Sequence, residues 1–149
     1  MVPLDFWQTD EGELLAQRVA LNGDLLGGVI APPFNKRKTF KSLLHLVQLA
    51  NRFNCDIDLH IDESQSCSAG GLKLLLEVLG QVENEISITC SHLSSMGLLK
   101  EKAISHLAKN MAKNKLKVVA LPLTNSWLLG RKDRSTLIKR PLAPIFQLQ

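Results

Sequence analysis

The residues best suited to chemistry are two histidines, a glutamate and an asparagine that follow successive apolar runs. His60 ends one run and Glu63 lies three residues on, His92 follows the next run, and Asn125 follows the one after. Imidazoles hold divalent metal ions, and a nearby carboxylate can move protons between water and a substrate. We therefore take His60 as a candidate metal ligand and Glu63 and His92 as candidate catalytic residues. His92 is also placed to serve as a second metal ligand.

The apolar runs predict β-strands that alternate with amphipathic helices. The predicted strands, short and rich in aliphatic residues, are 1–4, 25–31, 56–60, 85–90 and 116–121. The predicted helices, which carry apolar residues at helical spacing, are 12–21, 39–53, 68–82 and 97–114. Residues 122–149 hold three prolines and are predicted to form a long loop with at most one turn of helix.

This alternation predicts an α/β fold of about five parallel strands joined by right-handed helical crossovers. Two architectures fit it: an open doubly wound sheet, or part of a (β/α)₈ barrel. A whole barrel needs about 250 residues, whereas this chain has 149 and is the size of one domain. In both architectures the carboxyl ends of the strands meet at one cleft. His60, Glu63 and His92 are therefore expected to meet there.

Composition narrows the function classes. Residues 100–149 carry 11 of the 18 Lys and Arg residues but only 2 of the 14 acidic residues. Aromatic residues are scarce in that half, so the basic charge favours a solvated helix face over a nucleic-acid surface. No apolar run approaches the roughly 18 residues of a membrane span. The three cysteines, without a Cys-x-x-Cys motif, predict free thiols in a reducing cytoplasm.

Other motifs give weaker signals. Cys90 and His92 are spaced to share a strand face as a thiol–imidazole pair, but a cysteine in a core strand is usually inert packing. The pairs 27–28 and 70–71 are glycines without the remaining residues of a phosphate-binding loop. The zinc deaminase signature that combines His-x-Glu with Pro-Cys-x-x-Cys is absent from the sequence.

Four blocks of sequence resemble one enzyme family in their order and spacing. They are 57–63 (IDLHIDE), 88–96 (ITCSHLSSM), 121–125 (LPLTN) with 129–131 (LGR), and 139–145 (KRPLAPI). Together they are similar to the cytosine deaminase branch of the amidohydrolase superfamily, and the similarity covers nearly the whole chain. The His-x-Asp-Glu motif combined with Ser-His carries most of the resemblance.

The resemblance implies a metal-dependent (β/α)₈ barrel that hydrolyses a C–N bond of a nitrogen heterocycle, such as a pyrimidine or a triazine. His60 matches the fifth-strand histidine that ligates the metal, which is iron or zinc. Glu63 matches the carboxylate that carries a proton to the ring nitrogen. His92 matches the sixth-strand histidine that orients the attacking hydroxide. The sequence would then form a single partial barrel domain, residues 1–149, spanning roughly the third to the seventh strand.

The sequence also departs from the family. The family uses a His-x-His pair from its first strand and an aspartate from its eighth, whereas this chain has no histidine before His45 and no His-x-His. We therefore expect a fragment that is inactive alone, or active when a complementing fragment or another copy supplies the remaining strands. The alternative is a non-catalytic open α/β sheet that binds a small molecule or a protein, whose stability would not depend on metal.

Overall fold

The computed structural model describes residues 2–66, 68–127 and 142–149, where four parallel strands alternate with helices. The strands lie side by side in the order of the chain. They are β1 (Leu26–Ile30), β2 (Ile57–Ile61), β3 (Ile88–His92) and β4 (Lys117–Val119). Every neighbouring pair is parallel, which confirms the predicted α/β fold.

The helices follow the predicted periodicity, with shifted ends. They are α1 (Asp10–Leu21), α2 (Lys36–Phe53), α3 (Gly70–Leu79), α4 (Glu101–Lys113), α5 (Pro122–Trp127) and α6 (Ile145–Leu148). Two 3₁₀ helices add to these, at Leu4–Gln8 and Ser94–Leu98. The predicted loop over 122–149 therefore holds two short helices in its described parts. No helix of the described residues is long and apolar enough to cross a membrane.

The prediction of a strand over residues 1–4 is wrong for its described part. Pro3 precedes the 3₁₀ helix Leu4–Gln8, and a proline has no N–H to donate to a sheet. Leu4 and Trp7, three residues apart, are both buried. The indole Nε1 of Trp7 donates to the carbonyl of Gly27 at 2.9 Å, so this helix lies against β1.

The core lies between one face of the sheet and the helices. On β2, the side chains of Ile57, Leu59 and Ile61 are buried. They belong to the same apolar cluster as the buried apolar residues of α2 and α3. Burying each such side chain contributes about 1.5–3 kcal/mol. α2 begins at Asn35, whose side chain accepts from the Lys38 amide at 3.0 Å, and ends at Asn54 in the left-handed conformation.

The opposite face of the sheet, which we call the open face, carries the residues that alternate with this core. One row crosses all four strands by register, in the order Val29, His60, Ser91 and Val119. Val29 and Val119 on the outer strands are 50% and 44% exposed. The polar members of the row therefore lie on the two central strands, β2 and β3.

Candidate active site

His60, Glu63 and His92 come together at the carboxyl ends of β2 and β3, as their spacing predicts. His60 Nδ1 lies 3.2 Å from His92 Nε2, and the ring centroids are 4.9 Å apart. His92 Nε2 lies 3.5 Å from Glu63 Oε2. The His92 side chain is only 3% exposed, whereas that of Glu63 is 26% exposed. The site therefore has a buried imidazole at its base and a carboxylate that solvent or a substrate can reach.

The donor set fits a divalent cation. One ligand atom from each of the three residues lies within 4.8 Å of the other two. Ligand nitrogens about 2.0–2.1 Å from zinc lie roughly 2.8–3.4 Å from each other in octahedral or tetrahedral geometry. The His60–His92 separation of 3.2 Å falls in that range, and the His92–Glu63 separation of 3.5 Å is close to it. Two imidazoles and a carboxylate suit zinc and iron alike.

His92 reaches this position because its backbone leaves the regular strand. In an ideal strand it would share a face with Cys90, which is buried in the core. Its φ is 79°, and Leu93 follows with a φ of 47°. The imidazole consequently lies against His60, on the neighbouring strand. Cys90 is fully buried, and burial raises the pKa of its thiol to about 12.

Left-handed backbone is concentrated around the site. Asp62 and Ala69, with φ of 58° and 53°, add to His92 and Leu93. In the described residues the other positive φ values outside glycine belong to Asn54 and Lys115, which end helices or follow them. Such conformations cost about 1–3 kcal/mol each and persist where surrounding contacts fix them. Here those contacts come from the loops after β2 and β3.

Asp62 is the centre of those contacts. It is fully buried, and its carboxylate accepts hydrogen bonds from the amides of Gly71 at 2.9 Å and Leu72 at 2.8 Å, in the first turn of α3. Its carbonyl accepts from the Ser95 amide at 3.0 Å and the Ser94 hydroxyl at 3.2 Å. Burial raises the pKa of the Asp62 carboxyl, while the two amide hydrogen bonds act in the opposite direction.

Sequence reasoning missed Asp62 as a site component and assigned no role to the two serines. A partial signal was present in the glycine pair 70–71, which we considered only as part of a phosphate loop. A Cβ on Gly71 would lie 2.9 Å from Ile61 Cγ1 and 3.2 Å from Asp62 Oδ1. A glycine in the first turn of a helix, nine residues after a strand-end aspartate, here marks a close helix–strand approach.

The remaining candidates are two further histidines, one asparagine and two blocks of sequence near the carboxyl end. His45 and His106 lie on α2 and α4, away from the cluster, as predicted for boundary or surface residues. The backbone of Asn125 lies in α5. The predicted blocks 129–131 and the first part of 139–145 lie outside the described residues.

Comparison with known proteins agrees with this fold. No family model matches the sequence. The pterin deaminase of Rhizobium rhizogenes (strain K84) is 29% identical over 139 residues, which are 91% of this chain and 31% of that protein. The crystal structure of Klebsiella pneumoniae 5-methylcytosine deaminase liganded with 5-fluorocytosine is 25% identical, with a TM-score of 0.70 over 93% of this chain and 33% of that one.

A third relative is named as an aminohydrolase, whereas the first two are named as deaminases. N-isopropylammelide isopropylaminohydrolase from Burkholderia multivorans is 28% identical, with a TM-score of 0.57 over 74% of this chain and 28% of that one. The chain therefore spans about a third of the length of the relatives it matches. These likenesses confirm the predicted partial (β/α)₈ barrel, with four strands in the described residues where we expected five.

The chain thus has the fold of a partial amidohydrolase-type barrel. Its resemblance to the cytosine deaminase branch of that superfamily is confirmed by these relatives.

Proposed function

We propose that this chain is part of a metal-dependent hydrolase that removes an amino group from a nitrogen heterocycle of the pyrimidine or triazine kind. The observation that carries the proposal is the convergence of His60, Glu63 and His92 from two neighbouring strands. The relatives support it, since two are deaminases by name and the third is an aminohydrolase. The buried free thiols Cys55 and Cys90 suit a reducing compartment such as the cytoplasm.

Each of the three residues has a separate role in the proposal. His60 ligates a divalent ion, iron or zinc, which supplies Lewis-acid activation of water when bound. Glu63 accepts a proton from the water and delivers it to the ring nitrogen, for which its partial exposure is suited. His92, buried and 3.5 Å from Glu63 Oε2, orients the attacking oxygen and holds the carboxylate in reach.

The chain alone would be inactive in this proposal. The family takes further metal ligands from a His-x-His pair and an aspartate on other strands, and the sequence contains no His-x-His. The relatives are about three times longer than this chain, so activity would require strands beyond those of residues 1–149. A complementing fragment or another copy that supplied such strands would complete the partial barrel domain and hold the heterocycle against Glu63.

Metal-dependent stability tests the metal site. A ligand that binds only the folded state stabilises it by about 2.7 kcal/mol at a hundred times its dissociation constant. We expect zinc or ferrous ion to raise the melting temperature of the chain, and His60→Ala to abolish the rise. His106→Ala, which changes an exposed histidine on α4, is the matched control and should keep it. A wild-type melting temperature that does not change when metal is added would contradict the metal site and favour a non-catalytic α/β module.

A chimera tests the reaction. This chain would replace the matching third of the Rhizobium rhizogenes pterin deaminase, and ammonia release from pterin and from cytosine would be measured. We expect turnover by the chimera, none by the isolated chain, and a loss of about 10²–10⁴-fold in a Glu63→Gln chimera, since that is the usual contribution of a general acid–base. A folded, metal-loaded chimera without turnover would contradict the deaminase proposal, and turnover by the isolated chain would contradict its inactivity.

A further inference from the structure

The loops that follow β2 and β3 are connected through one buried residue, Asp62. Glu63 directly follows Asp62, and His92 directly precedes the segment 93–95. The amide of Asp62 donates to the Ile30 carbonyl at 3.1 Å, so the same residue is also tied to β1. The amide of Leu93 donates to the Ile61 carbonyl at 3.0 Å, which adds a second connection between the loops.

We propose that Asp62 is a positioning residue that holds Glu63 and His92 in their places relative to His60. The proposal rests on the function proposed above, because it concerns the geometry of the same site. Asp62 itself does not contact a substrate in this arrangement, since it is fully buried beneath the loop. It acts through the bonds of its carboxylate to α3 and of its carbonyl to the loop after β3.

The start of α3 shows why a carboxylate is needed at this place. The residue before α3 is Ala69, which has a left-handed backbone and no side chain able to cap the helix. The first amides of a helix lack partners within the helix and carry partial positive charge. Asp62 supplies two oxygens for two of them, from a distance of nine and ten residues along the chain. The Ser95 hydroxyl accepts from the Ala69 amide at 3.0 Å, so α3 is also tied to the loop after β3.

These bonds form a closed set around the site. α3 is bound to Asp62, Asp62 to the segment 94–95, and Ser95 back to the residue that precedes α3. Glu63 is one residue and His92 two residues away from a member of this set. A rotation of either loop would therefore break hydrogen bonds of buried groups, each of which costs about 1–3 kcal/mol when left unsatisfied.

Asp62→Asn separates positioning from simple packing. The amide side chain has the same size, but its NH₂ group would face a helix amide that also donates, so one hydrogen bond is lost. The matched control is Asn35→Ala, which removes the cap of α2 far along the chain from the site, where Asn35 accepts from the Lys38 amide. Both variants should lower the urea midpoint of unfolding by similar amounts, because each removes a hydrogen bond at the start of a helix.

The decisive readout is the geometry of the two imidazoles in the metal-free chain. Nuclear Overhauser contacts between the rings of His60 and His92 are expected in the wild type and in Asn35→Ala, and should be lost or weakened at least twofold in Asp62→Asn. Zinc affinity, measured by competition with a chromophoric chelator, should fall about 10–100-fold in Asp62→Asn alone, as for other residues that orient metal ligands. Retained ring contacts with unchanged zinc affinity would overturn the proposal.

The two proposals fail in different ways. If the wild type binds no zinc, the proposed function fails, and the ring contacts still decide the role of Asp62. If Asp62→Asn does not fold, Ser94→Ala carries the same test, since it removes the hydroxyl that donates to the Asp62 carbonyl while leaving both bonds of the Asp62 carboxylate. We expect Ser94→Ala to weaken the ring contacts and to lower zinc affinity about threefold or more. An unchanged result for that variant would overturn the proposal.

Discussion

The central and outer strands of this sheet differ sharply at their carboxyl ends. His60 lies one residue before the end of β2, His92 ends β3, and Glu63 lies just beyond β2. The loops after these two strands are linked by buried hydrogen bonds. The open-face row ends on the outer strands in Val29 and Val119, both about half exposed. The sequence after β1 and β4 is apolar and rich in proline, with no titratable residue in its first few positions.

The difference shows what a strand needs in order to position a reactive group. A central strand is hydrogen-bonded on both sides, so its backbone cannot shift without breaking two ladders, whereas an outer strand is held on one side. The left-handed residues of the site, which are costly to hold, follow the two central strands. In the described part of the sheet, the candidate site residues therefore lie at the ends of the two strands that are hydrogen-bonded on both sides.

The largest contrast is expected in thiol reactivity. Cys90 on β3 is fully buried, and its pKa is raised to about 12 by burial, so its reactive thiolate is scarce at pH 8. We expect iodoacetamide to alkylate it on the order of 10³-fold more slowly in the native chain than in urea. A Val119→Cys substitution on β4 should react at close to the unfolded rate, because that position is 44% exposed. Peptide mass mapping separates the two sites, and rapid native labelling of Cys90 would contradict the rigid central strand.

The next contrast is in stability. Leu59 on β2 is fully buried, so Leu59→Ala should lower the free energy of unfolding by about 3 kcal/mol, within the 2–5 kcal/mol typical of such truncations. Val29→Ala on β1 removes a side chain that is 50% exposed and should change it by less than about 0.5 kcal/mol. Urea unfolding measures both. Equal losses at the two positions would mean that the open face is covered in solution.

Sequence reasoning succeeded where the pattern was local and periodic. The alternation around His60 and the helical stripes of α2 and α3 predicted the strands and helices, and parallel crossovers then required His60, Glu63 and His92 to meet. Sequence reasoning failed where contacts between residues distant in the chain determine the local structure. Helix α4 was predicted to begin at Gly97, but Ser94–Leu98 is a 3₁₀ helix in which Gly97 lies directly against the Leu142 carbonyl.

The role of Asp62 was beyond prediction for the same reason. Its carboxylate reaches α3 because the φ of Asp62 is 58°. The pattern of apolar and polar residues in a sequence does not predict such a left-handed backbone angle. The residue to which it binds, Gly71, is recognisable as special only when Ile61 and Asp62 are known to lie against it. Convergence of strand ends follows from the fold class, whereas the hydrogen bonds that fix the geometry there follow from individual backbone angles.

Glycine substitutions at the two ends of α3 give a smaller contrast. A Cβ at Gly71 would lie 2.9 Å from Ile61 Cγ1 and 3.0 Å from Ile30 Cγ2, so Gly71→Ala should destabilise the chain by about 1–3 kcal/mol. At Gly80 the nearest atom would be 3.5 Å away and φ is −73°, so Gly80→Ala should stabilise by about 0.4–1 kcal/mol. Thermal and urea unfolding would show whether each substitution raises or lowers the free energy of unfolding. Tolerance of Gly71→Ala would mean that α3 does not approach β2 as closely as described.

The smallest contrast concerns one hydrogen bond on the open face. The Ser91 hydroxyl donates to Asp58 Oδ1 at 3.0 Å, linking the central strands one row below the site. Ser91 is only 5% exposed, so a double-mutant cycle of Ser91→Ala and Asp58→Ala should give a coupling energy of about 1 kcal/mol. The ion pair between Arg52 and Glu13 is shorter, at 2.7 Å, but its side chains are 63% and 42% exposed. Its cycle should give no more than about 0.5 kcal/mol, because water competes for both charges. A coupling at Ser91–Asp58 as weak as that of the exposed pair would mean that water enters between the central strands, which would remove the basis for placing a proton-transfer site above them.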